Sequence, residues 1–277
     1  MHSKAVFIQE QYKGFCETPS LVLGSNFGLP PAFETPFISS NNFDEINEEL
    51  QKHDYLGKRM EFFFQQWINS SSSYNLLAHS IQLIENKQTL GELDFLVEEI
   101  GTKQIIHLEL VYKCYLWDPE LSENLQEALV GPNHKDFFHW KQEKLVGQQF
   151  PLLHQEITQK SLKNLFPWID MDKIQQQTCF KAQVFVPENK IPKETWFNSD
   201  CIVGNWYKLE KFKAKNWEGC QFHIPYKFLW PCLLDEFEWL CFDELLPLVE
   251  ERLNNRRAPM LWIKDKEGKL KKCFVVV

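Results

Sequence analysis

Residues 90–113, LGELDFLVEEIGTKQIIHLELVYK, read as two strands around Gly101-Thr102, and each carries a carboxylate where packing is expected, Asp94 on the first and Glu109 on the second. Side chains alternate across a strand. One face of 105–117 is Ile106, Leu108, Leu110, Tyr112, Cys114 and Leu116, apolar throughout, and the other carries His107, Glu109, Val111 and Lys113. In 90–98, Leu93, Phe95 and Val97 make the core face with Gly91 on their side, while Glu92 and Asp94 share the opposite face with Leu90 and Leu96. A two-residue loop with glycine first is the type II′ signature, and a four-residue loop over 100–103 gives the same register. Asp94 then lies across from Glu109 and Leu96 across from His107, with Cβ atoms about 5 Å apart. Directly opposed like charges destabilise a strand pair. A divalent cation is the natural compensation, because Mg²⁺ takes one or two carboxylates and completes its octahedron with water and phosphate oxygens. The plain alternative is two acids on a solvated strand face, where charge blunts a sheet edge.

Residues 1–43 form an N-terminal lead-in segment. A long helix is predicted over 43–69, where Leu56, Met60, Phe63, Phe64, Trp67 and Ile68 recur at helical spacing until the serines at 70–73 end it. Strands are predicted at 74–86, 89–99 and 103–116. A helix over 134–150 follows, with Asn133 as its cap, then another at 156–165 and a fourth strand at 179–187 ended by Pro187. Beyond it come loops, a helix at 242–254 and short strands at 259–264 and 272–277. The order of the middle section is α-β-β-β-α-β, a core over 44–187, with 188–277 as a C-terminal extension packed on it.

Hydrophobic residues make up 44% of the 277, enough for a real core, and the formal net charge of −8 argues against a non-specific nucleic-acid coat while leaving room for a local basic groove. No apolar run approaches the ~20 residues of a membrane-spanning helix, and the N-terminus lacks the pattern of a signal peptide. The eight cysteines form no C-x-x-C pair. A cytoplasmic protein with free, mostly buried thiols and no membrane partner is expected.

Four stretches, LGKRMEFFFQQW at 56–67, TLGELDFLV at 89–97, HLELVYKCYL at 107–116 and GPNHKDFFHWKQEKL at 131–145, resemble an uncharacterised bacterial domain-of-unknown-function family, number 1853. That family is assigned to the PD-(D/E)XK nuclease-like superfamily, and the resemblance is strongest over 44–150. It implies an α/β fold with a nuclease-like core, a mixed central sheet flanked by helices, and an appended C-terminal α/β region. It also implies Mg²⁺, with Mn²⁺ as a substitute, held by Asp94 and Glu109 with Glu61 of the first helix as an auxiliary acid. The implied reaction is phosphodiester hydrolysis of nucleic acid, DNA rather than RNA, by a metal-dependent nuclease in which a lysine orients or helps deprotonate the attacking water.

The chain departs from the superfamily pattern. Leu93 replaces the usual proline, and the lysine expected two residues after the glutamate is Val111. Lys113 shares the face of Glu109 but stands four residues away, about 13 Å of strand at about 3.3 Å per residue. Lys141 offers a substitute, in a helical stripe with Lys144 and Gln148. The rival reading is a catalytically inactive nuclease-fold module that binds nucleic acid or a protein.

The remaining candidates have plain readings beside the functional ones. Glu61 pairs with Lys58, and Gly57 one turn earlier lets the backbone approach the sheet. His107 is a hydrogen-bonded structural histidine or a partner of the ligands, and Glu92 either joins the metal site or stays on the surface. The basic run YKLEKFKAKNW at 207–217, with Trp206, Tyr207 and Trp217, grips phosphates and stacks on bases or is a wet surface. NNRRAP at 254–259 is a second basic run, and Trp230 and Trp239 read as core.

Overall fold

In the computed structural model, residues 7–38, 50 and 55–277 are described. In chain order the main elements are α1 (Ile8–Glu17), α2 (Leu56–Ser70), β1 (Tyr74–Glu85), β2 (Gln88–Glu99), β3 (Ile105–Trp117), β4 (Leu129–Val130), α3 (Phe138–Lys144), α4 (Glu156–Leu165), β5 (Gln175–Val186), β6 (Ile202–Lys208), α5 (Leu209–Ala214), β7 (Gln221–His223), α6 (Phe242–Asn254), β8 (Met260–Lys264) and β9 (Leu270–Val276). The architecture is mixed α/β. The chain divides into two compact units, one of Pro19–Tyr112 and Trp140–Lys181, the other of Met1–Thr18, Lys113–His139 and Ala182–Val277.

The first unit is built on the strand order β1-β2-β3-β5. Asn86 and Lys87, both at positive φ (49° and 65°), turn β1 into β2 in the primed geometry that matches strand twist. From β2 to β3 the loop is the four-residue one: Glu99 N–H donates to Gln104 O, Lys103 N–H donates to Glu99 O, and Lys103, at φ 60°, is the residue in the left-handed region. The type II′ turn with Gly101 leading is therefore not formed, yet the register is the expected one, with Phe95 opposite Leu108 and Leu96 opposite His107. The apolar stripe of α2 buries Leu56, Met60, Phe63, Phe64, Trp67 and Ile68, and Phe64 meets Phe95 edge-on at 4.6 Å. Leu83, Leu93, Leu96 and Ile105 pack with Leu152, Leu153 and Leu162. Gly91 packs tightly on Leu152, since a Cβ there would stand 2.6 Å from its Cδ2 and the leucine would have to shift.

In the second unit β5, β6 and β9 run parallel, while β8 and β7 continue antiparallel from β9. Its cores gather Phe185, Trp206, Trp262 and Phe274, with Trp230 and Trp239 packed against them, and Phe212, Phe222, Leu245 and Val249. Helices α4 and α6 stand where periodicity puts them.

Other expectations are corrected. The second helix begins at Phe138, four residues late, because 131–136 closes on itself through Gly131 N–H to Asp136 O (2.7 Å). Asn133 caps nothing, and its side chain accepts the N–H of Ala258 at 2.8 Å. The chain after 188 holds β6, α5 and β7 in addition to the expected elements. The expected helix start at 43 lies outside the described residues. None of the eight cysteines is in a disulfide, and six are buried. Among the described residues no helix is long and apolar enough to cross a membrane.

Candidate active site

The carboxylates of Asp94 and Glu109 meet where the β2–β3 ladder stops. The last paired residues are Phe95 and Leu108. One position on, the backbone N–H of Leu110 donates to Asp94 Oδ2 at 2.9 Å, and the Asp94 and Glu109 carboxyls stand close enough for each to act on the other. The Leu110 N–H, beyond the last paired residues, is thus taken up by a side chain, as a buried backbone donor must be. Glu109 is fully buried and Asp94 partly so.

Donors enclose Glu109 on both sides. His107 shares its face of β3 and meets Oε1 through Nε2 at 3.0 Å. Gln176 of β5 fixes the tautomer. Its amide nitrogen donates to the Phe150 carbonyl (2.7 Å), so the same NH₂ group faces His107 Nδ1 at 3.1 Å. Nδ1 must therefore accept, and Nε2 carries the proton given to Glu109. His107 is neutral, since burial lowers its pKa to about 4. Oε2 of Glu109 accepts from the amide of Gln149, whose own oxygen accepts from Lys141 Nζ at 2.7 Å.

Gln149 reaches this position because the helix changes pitch. After α3, residues Leu145–Gln149 form a π-helical turn, and Phe150–Leu152 resume the α-helix with Pro151 inside. Proline lacks an N–H, and its ring clashes with the carbonyl four residues back, here that of Gly147. The wider turn absorbs the clash and takes in one more residue. In a regular helix Gln148, seven residues after Lys141, would share its face; with the wider turn Gln149 does. Regular helical spacing alone therefore points to Gln148.

Burial is the largest influence on both acids, raising each pKa to about 7. For Asp94 repulsion from Glu109 adds to it, and for both the Lys141 charge opposes it. The protein alone thus keeps the pair partly protonated at neutrality. Lys141 is therefore in electrostatic reach of both acids. Lys113 lies in the other unit and pairs with Asp136. Glu61 forms an ion pair with Lys58 at 2.6 Å and contributes weakly to the rise at Asp94. Glu92 is near enough to act on Lys58 and Glu109. A Cβ at Gly57 would meet nothing within 4 Å, so that glycine serves no close approach. Trp206 and Tyr207 are buried, and Lys215 covers the rings of Tyr207 and Trp217. Three contacts of the pocket carry no signal in strand alternation: Gln149, Gln176 and the Leu110 N–H.

The model of one family, described as a domain of unknown function (DUF1853), matches residues 41–276. The chain belongs to that family. No curated protein and no solved structure matches it. Among the described residues of this DUF1853 chain, no three His, Cys, Asp or Glu side chains converge as a ready-made cage. The donor set nevertheless fits one Mg²⁺-like ion, which asks for one or two carboxylates and keeps its waters. Four carboxylate oxygens offer more lone pairs than the hydrogen bonds use, and a nearby cation would favour the ionised forms that burial opposes.

Proposed function

We propose that this chain is a metal-dependent phosphodiesterase of the PD-(D/E)XK nuclease-like kind acting on nucleic acid, DNA in preference to RNA. The observation that carries the reading is the Asp94–Glu109 pair, two acids held side by side at the end of a ladder and within electrostatic reach of Lys141. Asp94 and Glu109 would hold Mg²⁺ or Mn²⁺. Such an ion, when bound, polarises the phosphate and lowers the pKa of water.

The chain's own groups do the rest. His107 donates to Glu109 and fixes its orientation, as outer partners of ligands do. Gln149 ties Glu109 to Lys141. The Lys141 ammonium supplies positive charge beside the pair, suited to steady the attacking water and the charge that develops at phosphorus. Water oxygen attacks phosphorus, the P–O ester bond breaks, and the departing oxygen takes up a proton. Glu61 acts at a distance, through its charge on Asp94.

A second reading has its own support. Glu109 is fully buried and both its oxygens already accept hydrogen bonds, which suits a binding module that keeps the pair as a structural plug. Incubation with single-stranded, duplex and branched DNA in Mn²⁺ separates the two. Cleavage that disappears in Asp94→Asn supports hydrolysis. Absence of both products and calorimetric Mn²⁺ binding at millimolar ion supports the module.

A further inference from the structure

A cleft of about 360 Å³ in the second unit is lined by His134 and Lys135 on one loop and Arg256 and Arg257 on another, over an apolar floor that includes Leu253 and Val276. Its lining, which also includes Val277, holds no Asp or Glu, so Lys135, Arg256 and Arg257 are its formally charged side chains, all positive, in a chain whose net charge is −8. A larger cleft of about 470 Å³ in the same unit shows the contrast. There three carboxylates, Asp118, Glu120 and Glu188, stand among the lysines of the lining, and Glu120 and Glu188 engage Lys208 and Lys215. Among the described residues no carboxylate forms a salt bridge with Lys135, Arg256 or Arg257.

The two loops are joined. Asn133 Oδ1 accepts the N–H of Ala258 at 2.8 Å. The Arg256 loop is the end of α6, closed by Arg256 N–H to Leu253 O (2.8 Å) and Arg257 N–H to Arg252 O (2.9 Å). These are the two bonds of a Schellman cap, whose left-handed position favours glycine. Arginine holds it at φ 55°, and His134 across the cleft stands at φ 54°. A side chain at the cap is therefore kept at a conformational cost that glycine would not carry. Cations also complement the negative end of a helix, but α6 already has Arg252 in its last turn. The helix end contributes only about half an elementary negative charge, against three cations.

We propose that this cleft is a phosphate-binding site, with the guanidinium groups of Arg256 and Arg257 and the Lys135 ammonium taking the phosphate oxygens and the apolar floor taking the attached organic group. Arginine's planar fork suits phosphate. The phosphate comes from a nucleic-acid backbone or from a small phosphate ester, and the experiment tells them apart. The site does not depend on the Asp94–Glu109 pair.

The full chain is titrated in EDTA, which keeps metal chemistry out, with a fluorescein-labelled 20-nucleotide single strand by anisotropy and with 5′-AMP and inorganic phosphate by calorimetry. Arg256→Gly is the informative variant, because glycine suits the cap. Its melting temperature should equal or exceed that of the parent while affinity falls about ten-fold and the salt slope for the strand drops by about 0.7 per lost contact. Lys135→Gln should act in the same direction. Micromolar binding of the strand with negligible AMP binding assigns the backbone, and AMP binding as tight as the strand's assigns the small ester. Either is the expected kind of result. Affinity for all three probes unchanged within two-fold in both variants, or a loss of melting temperature alone, overturns the site.

Discussion

At the scale of the residue, the pair Asp94 and Glu109 sets function against stability. The two acids repel and are buried, and both carboxyls are pushed up to about 7. Asp94→Asn keeps an oxygen for the Leu110 N–H and offers Glu109 an amide donor in place of a like charge. In EDTA at pH 8 its melting temperature should rise, by about 2–4 °C for each kcal/mol of repulsion removed in a chain of this size. Cleavage and Mn²⁺ binding should fall by more than the 10–100-fold typical of an outer-shell partner. A melting temperature below the parent's would show that the repulsion is not there. The lysines make a paired test. The Lys141 charge reaches both acids, so Lys141→Met should lower cleavage about 10²–10³-fold. Lys113→Ala breaks only a half-exposed pair with Asp136, worth at most about 1 kcal/mol, and should leave the rate within two-fold. The reverse ranking in single-turnover assays would return the catalytic role to Lys113.

At the scale of the element, the helix around Pro151 does what no pattern in its polar residues announces. Gln149→Ala removes a donor from a buried carboxylate, and the destabilisation read by urea unfolding should be about 1–3 kcal/mol. Gln148→Ala, one residue away, should be silent, and equal effects would mean that the wider turn does not set the register. Gly91→Ala should cost about 1–3 kcal/mol by overpacking against Leu152. The strands that hold Asp94 and Glu109 were legible because alternation and a short connection fix register: Leu96 opposite His107 follows from either loop length. The end of the ladder was not, since it depends on where backbone donors exchange partners. The stripe of α2 and the bounds of α4 and α6 followed from apolar spacing. The start of α3 did not, because a capping-type residue, Asn133, was claimed by the backbone of distant Ala258. Strand β6, IVGNWYK, was hidden by its Gly and Asn, which lower strand propensity. There a Cβ on Gly204 would come within 2.1 Å of the Lys272 carbonyl oxygen, so close approach to β9 decides the residue. The tautomer of His107 and the partner of Lys113 rest on contacts between distant segments, which periodicity does not carry.

At the scale of the whole molecule, the buried groups predict an unusual response to pH. A carboxyl whose pKa is raised in the fold contributes stability that is fully present below its unfolded value and is lost as pH rises through the folded one. Asp94 and Glu109 therefore weaken the metal-free protein from about pH 4.5 to above pH 7. His107 works the other way. Its folded pKa of about 4 lies below the ordinary 6.5, so its contribution is lost as pH falls from 6.5 toward 4. Between pH 4.5 and 6.5 the folded state holds up to two extra carboxyl protons while the unfolded state holds one extra histidine proton, so the carboxyls prevail. Above 6.5 the histidine no longer opposes them. Exposed acids such as Glu120 and Asp265, held low by lysines, matter only at more acidic pH. The melting temperature in EDTA should therefore be higher near pH 5 than at pH 8, by an amount that shrinks in Asp94→Asn. Added Mn²⁺ at millimolar concentration should restore the loss at pH 8 and change little at pH 5, because protons and the ion compete for the same oxygens. A melting curve that climbs steadily from pH 5 to 8 without metal would mean that the two acids are solvated and ionised in the fold. Both the proposed ion site and the account of the interrupted ladder would then fail together.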